Sequence, residues 1–270
     1  MQSIYLKKMK KKDLFNLKGK TILLTGATGF LGKYIANNLL RFGCDLIVTD
    51  KYQINLKKIF YKKSKRIQYK NCDLESNNEI KLLCKWIKRN NKKIDVIINN
   101  AAFVGTSNLK GWNEKFENQL IDNWGKVFQV NLSSSFLIAQ QLSGLMKKAK
   151  DANIINISSI YGEIPPKLEI YKNTNINNPA AYSASKAALS NLTKWLAVNL
   201  SPKIRVNSIS PGGVYTKQNK IFVKKYINQT LLNRMTKPED IFSCILFLSS
   251  SMSQYITGQN IVVDGGFTIK

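Results

Sequence analysis

Tyr182 and Lys186 stand four residues apart in Ala181-Tyr182-Ser183-Ala184-Ser185-Lys186-Ala187-Ala188-Leu189, a run of small, helix-compatible residues. On a helix, such positions lie one above the other on the same face. An ammonium beside a phenol favours the phenolate and so lowers a pKa that ordinarily lies near ~10. The pair then works as a general acid/base on a hydroxyl or carbonyl oxygen. Tyr61-Lys62-Lys63-Ser64-Lys65 repeats the spacing. Spacing alone therefore does not choose between the two copies; the elements around them must.

Those elements alternate. Lys20-Thr21-Ile22-Leu23-Leu24-Thr25 is a short apolar, partly β-branched run that reads as a buried strand. It enters Gly26-Ala27-Thr28-Gly29-Phe30-Leu31-Gly32, and Ile35, Ala36, Leu39 and Leu40 then follow at helical spacing up to Gly43. Strand, glycine turn and helix in this order are what a dinucleotide site requires: the turn lets the backbone approach a pyrophosphate, which the helix N-terminus faces. A second strand, Asp45 to Thr49, ends at Asp50, 18 residues past Gly32. A carboxylate there bonds the adenosine ribose hydroxyls and repels a 2′-phosphate, so NAD(H) is expected in preference to NADP(H). Lys51, next in line, works against that preference.

Further strands are expected at Arg66–Tyr69, Ile94–Ile98, Ile154–Ile157, Ile204–Ile209 and Asn260–Val263. Helices are expected at Asn77–Arg89, Leu120–Lys147, from Tyr182 to near Leu200, and at Glu239–Ser249. This alternation implies one α/β domain built on a doubly wound parallel sheet, with the chemistry at the carboxyl ends of its strands. Residues 1–18 read as a basic lead-in and 19–270 as the domain. Tyr61 precedes the third strand, away from that edge, so its pair is coincidental.

Composition narrows the class. The chain has 270 residues, 44% of them hydrophobic, enough for a sizeable core. No apolar run reaches the ~18 residues of a membrane span, and the basic N-terminus has no signal-peptide core. Four scattered cysteines without a C-x-x-C pair fit reduced thiols in the cytoplasm. With no histidine, His-based triads and His metal sites are excluded, and no metal is expected. The net charge of +26 comes from lysines spread over most surface-like segments, without an aromatic-interleaved basic strip. Neither a nucleic-acid nor a membrane partner is expected.

From about residue 18 to 268 the chain resembles the short-chain dehydrogenase/reductase family, in its short single-domain branch. Thr25 through Gly32 matches the cofactor turn. Asp73-Leu74 matches the adenine-contacting pair, and Asn99-Asn100-Ala101-Ala102 matches Asn-Asn-Ala-Gly with Ala102 for the glycine. Ile157-Ser158-Ser159, Tyr182 and Lys186 match the catalytic segments, and Asn131 falls at the family's helix asparagine. Pro211-Gly212-Gly213-Val214-Tyr215-Thr216 matches the stretch flanking the nicotinamide, and Val263-Asp264-Gly265-Gly266 the C-terminal signature. The resemblance implies a Rossmann-like fold and hydride exchange between NAD(P) and a carbonyl or secondary alcohol. It implies Tyr182 as proton carrier, Ser159 as the group that orients the substrate oxygen, Lys186 on the Tyr182 pKa and the nicotinamide ribose, and Asn131 holding a water. It further implies cofactor contacts from Gly26, Thr28, Gly29, Phe30, Leu31, Gly32, Asp50, Asp73, Leu74, Asn100, Ala101, Ala102, Tyr182, Lys186, Pro211, Gly212, Val214 and Thr216.

Two departures stand out. Phe30 sits where the short branch has glycine, giving the G-x-x-G-x-x-G wording of the epimerase and dehydratase branch. Ser159 and Tyr182 are 23 residues apart, which leaves an inserted loop at 163–179 that overhangs the site. The wording around Ser158-Ser159-Ile160-Tyr161-Gly162 is similar to members from bacterial surface-sugar pathways, such as flagellin modification and nonulosonate synthesis. The family places a substrate lid at 216–234. Here that stretch carries Lys217, Lys220, Lys224, Lys225 and Arg234 with no acid among them, and such a run attracts phosphate. Asn173, Thr174, Asn175 and Asn177 in the insert offer bonds to sugar hydroxyls. An anionic, phosphorylated or nucleotide-linked sugar is therefore expected as substrate. The rivals are an NAD-retaining sugar epimerase or dehydratase and a non-catalytic NAD sensor. Ile241, Ile245, Leu246 and Leu248 give the last helix more apolar surface than one sheet face needs, so a homodimer or homotetramer is expected.

Overall fold

The computed structural model describes residues 14–60, 64–105, 107–174 and 176–270. The Tyr61–Lys65 copy of the acid/base spacing begins outside them, as does Asn175 of the insert. Seven parallel strands form one sheet in the order β3-β2-β1-β4-β5-β6-β7. They are β1 (Thr21–Thr25), β2 (Asp45–Thr49), β3 (Ile67–Tyr69), β4 (Val96–Asn99), β5 (Ala152–Ile157), β6 (Ile204–Pro211) and β7 (Asn260–Val263). The order reverses between β1 and β4, whose register pairs Ile22 with Val96. That reversal opens a crevice at the carboxyl edge, where sheets of this kind hold ligands.

Strand alternation divides the core in two. Ile22, Leu24, Leu46, Val48, Val96 and Ile98 pack on one side with α1 (Phe30–Arg41) and α8 (Pro238–Ser249). Leu23, Ile47, Ile97, Ile154 and Val206 pack on the other with α3 (Asn77–Asn90), α5 (Ser134–Met146) and α6 (Ala180–Leu200). Both faces are covered, as a sheet with such apolar strands requires. The strands also carry buried asparagines. Asn99 bonds Asn156 at 2.8 Å, and Asn156 bonds Thr193 of α6 at 2.9 Å, which ties the sheet to that helix across the core.

Three expectations change. A short helix, α2 (Gln53–Phe60), lies between β2 and β3, held by buried Leu56 and Phe60. The long helix is α4 (Asp122–Phe128) joined to α5 by a π-turn at Gln129–Ser133, with the backbone right-handed throughout. The lead-in ends before residue 18: Leu17 is fully buried and its N–H bonds the Phe42 carbonyl at 3.0 Å. Among the described residues no helix is long and apolar enough to cross a membrane.

The apolar surplus read on the last helix is absorbed within the chain. Ile241, Ile245, Leu246 and Leu248 are all buried, against α1 and the sheet. They therefore leave no argument for a dimer or tetramer. Truncating a buried Ile costs about 2–5 kcal/mol through lost transfer energy and the cavity left behind. Ile245→Ala should lower the unfolding free energy by that amount at every protein concentration. Chemical denaturation at two concentrations fifty-fold apart checks this; a loss that disappears at the higher one would place Ile245 between subunits.

Candidate active site

The crevice is a cleft of about 1010 Å³. It is lined by Gly26, Thr28, Gly29, Phe30, Leu31, Gly32, Asp50, Asp73, Leu74, Asn100, Ala101 and Ala102 on the β1–β4 side. Ser159, Tyr182, Lys186, Pro211, Gly212, Val214 and Thr216 line it on the β5–β6 side. Every residue assigned to catalysis or cofactor by the sequence faces this space except Asn131.

The turn after β1 is built for close approach. Gly26 has φ +65°, and a Cβ there would lie 2.7 Å from Ala101 Cα; a Cβ on Gly32 would lie 2.0 Å from the Gly26 carbonyl oxygen. Thr25 Oγ1 accepts from the Asn100 and Ala101 N–H groups at 3.0 and 3.1 Å, so the ends of β1 and β4 are held together. The first turn of α1 has neither a side-chain cap nor an acidic residue. Its free N–H groups face the cleft and suit a pyrophosphate.

Asp50 closes the far end. One carboxylate oxygen accepts from Thr28 N–H and Oγ1 at 2.9 and 2.8 Å, and the other from Lys51 N–H at 2.8 Å. The Lys51 ammonium folds away onto Glu75 at 2.8 Å and Asp73 at 2.9 Å. Those carboxylates, Glu75 first, hold its pKa above the ordinary lysine value. The Asp73 and Leu74 positions were legible from the sequence; the ion pairs on Lys51 were not. The cradle thus fits a dinucleotide on three independent features: a turn that admits no side chain, an uncapped helix start and a carboxylate just past β2.

At the other end, α6 carries Tyr182 and Lys186 on one face and lies against the end of β5. Lys186 is 3% exposed and donates to the Ile157 carbonyl at 2.7 Å. Burial pushes its pKa down to about 7. Its Nζ is 5.8 Å from the centre of the Tyr182 ring. Ser159, next to β5, is buried and bonds Tyr182. Burial raises the Tyr182 pKa; the Ser159 bond opposes that rise, and the nearby Tyr171 adds to it. The raised Tyr182 pKa runs against the lowering expected from Lys186, which is not among its causes.

Asn131 sits in the π-turn, a feature that often marks functional positions. Its Oδ1 accepts from Phe103 N–H at 2.8 Å, and its Nδ2 donates to the Phe103 carbonyl at 3.1 Å and to Ser185 Oγ at 3.0 Å. Ser185 Oγ in turn donates to the Tyr182 carbonyl at 2.8 Å. These bonds fix the β4 loop against α6 through the Asn131 side chain.

The lid also departs from expectation. Helix α7 (Lys220–Ile227) turns Phe222 and Tyr226 inward, and Phe222 lines the cleft. Tyr226 Oη accepts from the Gly213 N–H and so anchors the loop after β6. None of Lys217, Lys220, Lys224, Lys225 and Arg234 lines the cleft. Lys225 bonds the Glu169 carbonyl at 3.2 Å, and Arg234 pairs with Asp240 at 2.6 Å. In the insert, Asn177 reaches the cleft but its amide is bonded to the Asn113 carbonyl; Asn173 and Thr174 do not line the cleft. Phe103, Val104, Leu109, Tyr161, Tyr171, Ile176 and Phe222 also line the cleft, along with Ser107, Asn108, Asn178, Gln218 and Lys126 of α4. Sequence reasoning passed over this lining, although the aromatic residues following Ser159 and within the insert were visible.

A buried lysine with a depressed pKa leaves a pH signature. The unfolded chain keeps that proton up to about 10.5, the folded chain only to about 7. Between those values the unfolded state binds more protons, so this group makes stability rise with pH. From pH 7 to pH 9, wild type should gain stability relative to Lys186→Met. Urea unfolding of both at the two pH values measures it; parallel changes would contradict the buried-ammonium geometry.

Comparison with known proteins agrees with this layout. A family described as enoyl-(acyl carrier protein) reductase matches residues 26–268. Post-translational flagellin modification protein A of Campylobacter coli is 30% identical over 93% of this chain and 99% of its own length. A sorbose reductase of Candida albicans is 30% identical over 95% and 89%. The crystal structure of a short-chain dehydrogenase from Leptospira borgpetersenii with bound NAD+ superposes with a TM-score of 0.84 at 35% identity, covering 94% of each chain. With its parallel sheet, its glycine turn and its Ser159, Tyr182 and Lys186 in one cleft, the chain belongs to the short-chain dehydrogenase/reductase family of NAD(P)-dependent oxidoreductases.

Proposed function

We propose that the chain uses NAD(H) in preference to NADP(H) to interconvert a ketone and a secondary alcohol on a small, uncharged, sugar-like substrate. The observation that carries this is the shared cleft: Ser159, Tyr182 and Lys186 face the same space as the dinucleotide cradle. When bound, the nicotinamide supplies or accepts the hydride. Tyr182 Oη gives or takes the proton at the substrate oxygen. Ser159 Oγ bonds Tyr182 and holds that oxygen in reach. Lys186, near pKa 7, can change protonation during a turnover close to neutral pH. The free thiols of the chain fit a cytoplasmic setting.

The cofactor preference rests on charge. A 2′-phosphate would meet the Asp50 carboxylate, and Lys51, the cation next to it, is already paired with Asp73 and Glu75. The sugar half of the reading is supported by the relatives named for flagellin modification and sorbose reduction. The phosphate half of the sequence expectation loses its support, because the lid cations do not line the cleft.

One assay tests both halves: NADH and NADPH oxidation, each with a free ketose such as sorbose and with a phosphorylated ketose. The NADH and free-ketose pair should have the highest kcat/KM. The Asp73→Asn/Glu75→Gln double variant releases Lys51 and should shift the NADPH-to-NADH ratio upward by at least about tenfold, the scale of one charge-assisted bond. A wild-type preference for NADPH, or for the phosphorylated ketose, would contradict the reading.

A further inference from the structure

Tyr161 and Tyr171 are two phenols in the cleft beside Tyr182 that proton transfer does not use. Tyr161 lies in the short turn after Ser159, with its N–H bonded to Ser159 Oγ at 3.2 Å. The two side chains therefore sit on one fixed turn. Tyr171 comes from the insert. It is seated by its fully buried neighbour Ile170 and by Phe222 of α7, with ring centres 5.7 Å apart.

The two hydroxyl oxygens are 2.6 Å apart, with Tyr171 donating to Tyr161. That direction is set from behind. Ser183 Oγ donates to Asn178 Oδ1 at 2.9 Å, which leaves the Asn178 amide N–H groups for its other partner, the Tyr171 oxygen. A phenol that accepts from an amide passes its own proton forward, here to Tyr161. The Tyr161 oxygen accepts that bond and keeps one O–H to give. Among the described residues no acceptor is bonded to it. Burial raises the pKa of both phenols, so both keep their protons. Each donor in such a chain polarises the next. Once a ligand displaces solvent from the cleft, one that accepts from this donor is favoured over one that leaves it unpaired by about 1–3 kcal/mol.

We propose that Tyr161 reads the substrate: its hydroxyl bonds an oxygen on the carbon next to the reacting carbonyl, which makes uncharged α-hydroxyketones the preferred class. Asn178 and Tyr171 are positioning residues that aim it. The proposal rests on the reading of Ser159 and Tyr182 given above. The reacting oxygen sits at Ser159, and Tyr161, two residues along the same turn, meets the neighbouring oxygen. Around them Phe103, Val104, Leu109, Ile176 and Phe222 give the cleft an apolar lining.

The test compares acetoin with 2-butanone, which differ by the one hydroxyl, using NADH and reading kcat and KM separately. Wild type should favour acetoin in kcat/KM by about tenfold or more. In Tyr161→Phe that ratio should fall to about one. In Tyr171→Phe the donor remains but loses its polarising partner, so the ratio should fall part of the way, through KM for acetoin rather than kcat. If the Tyr161 hydroxyl is merely structural, the variant loses turnover of both ketones with the ratio intact, and the proposal is overturned. Equal efficiency on both ketones in the wild type overturns it too, while leaving the hydride-transfer reading in place. Turnover of neither ketone would remove the uncharged-carbonyl reading together with this one.

Discussion

Everything in this site hangs on one buried contact, the Lys186 ammonium against the Ile157 carbonyl at 2.7 Å. It pins the middle of α6 to the end of β5. With Lys186 fixed there, Tyr182 one turn earlier must face the cleft, because i and i+4 share a helix face. Ser159, two residues past Ile157, then meets the Tyr182 phenol. A charge without a counter-ion in such a place is costly, and the protein answers by letting the ammonium titrate near neutrality. The Asn99–Asn156–Thr193 bonds brace the same helix from the core, and the Asn131–Ser185 bond braces it from the π-turn.

The sheet reversal supplies the other half. Because the strand order reverses between β1 and β4, the glycine turn and the end of β4 face one crevice. The two halves have different electrostatic tasks. The cradle presents N–H groups and the Asp50 carboxylate, and its nearest cation, Lys51, is paired with Asp73 and Glu75. The catalytic half is desolvated, and its phenols stay protonated. The insert and α7 meet over it through Tyr171 and Phe222, so the segment that lengthens the gap between Ser159 and Tyr182 forms part of the cleft wall.

Much of this was legible in the chain. The apolar strands and the Gly26–Gly32 turn rest on local rules of periodicity and steric demand, and the structure places them as read; Tyr182 and Lys186 share a helix face as read, but the Lys186 ammonium is taken up by the Ile157 carbonyl. What failed rests on facing. The lid lysines were visible, but whether they pointed inward depended on Phe222 and Tyr226 claiming the inner face of α7. The apolar residues of α8 were visible, but their burial depended on how closely α1 packs beside them. Helix α2 is a lysine-bearing segment with only two buried anchors, too weak a period to announce itself. The pairing of Lys51 with Glu75 joins residues 24 positions apart through the β2–β3 edge, which no local pattern encodes.

The central claim is that Tyr182 carries the proton in a cleft that binds NADH without its help. The most direct measurement sets turnover beside cofactor binding in Tyr182→Phe, which keeps the ring and removes the hydroxyl. NADH titration by fluorescence should match wild type, while ketone reduction should fall by roughly 10²–10⁴-fold, the range of general acid catalysis. Wild-type turnover in that variant would contradict the account.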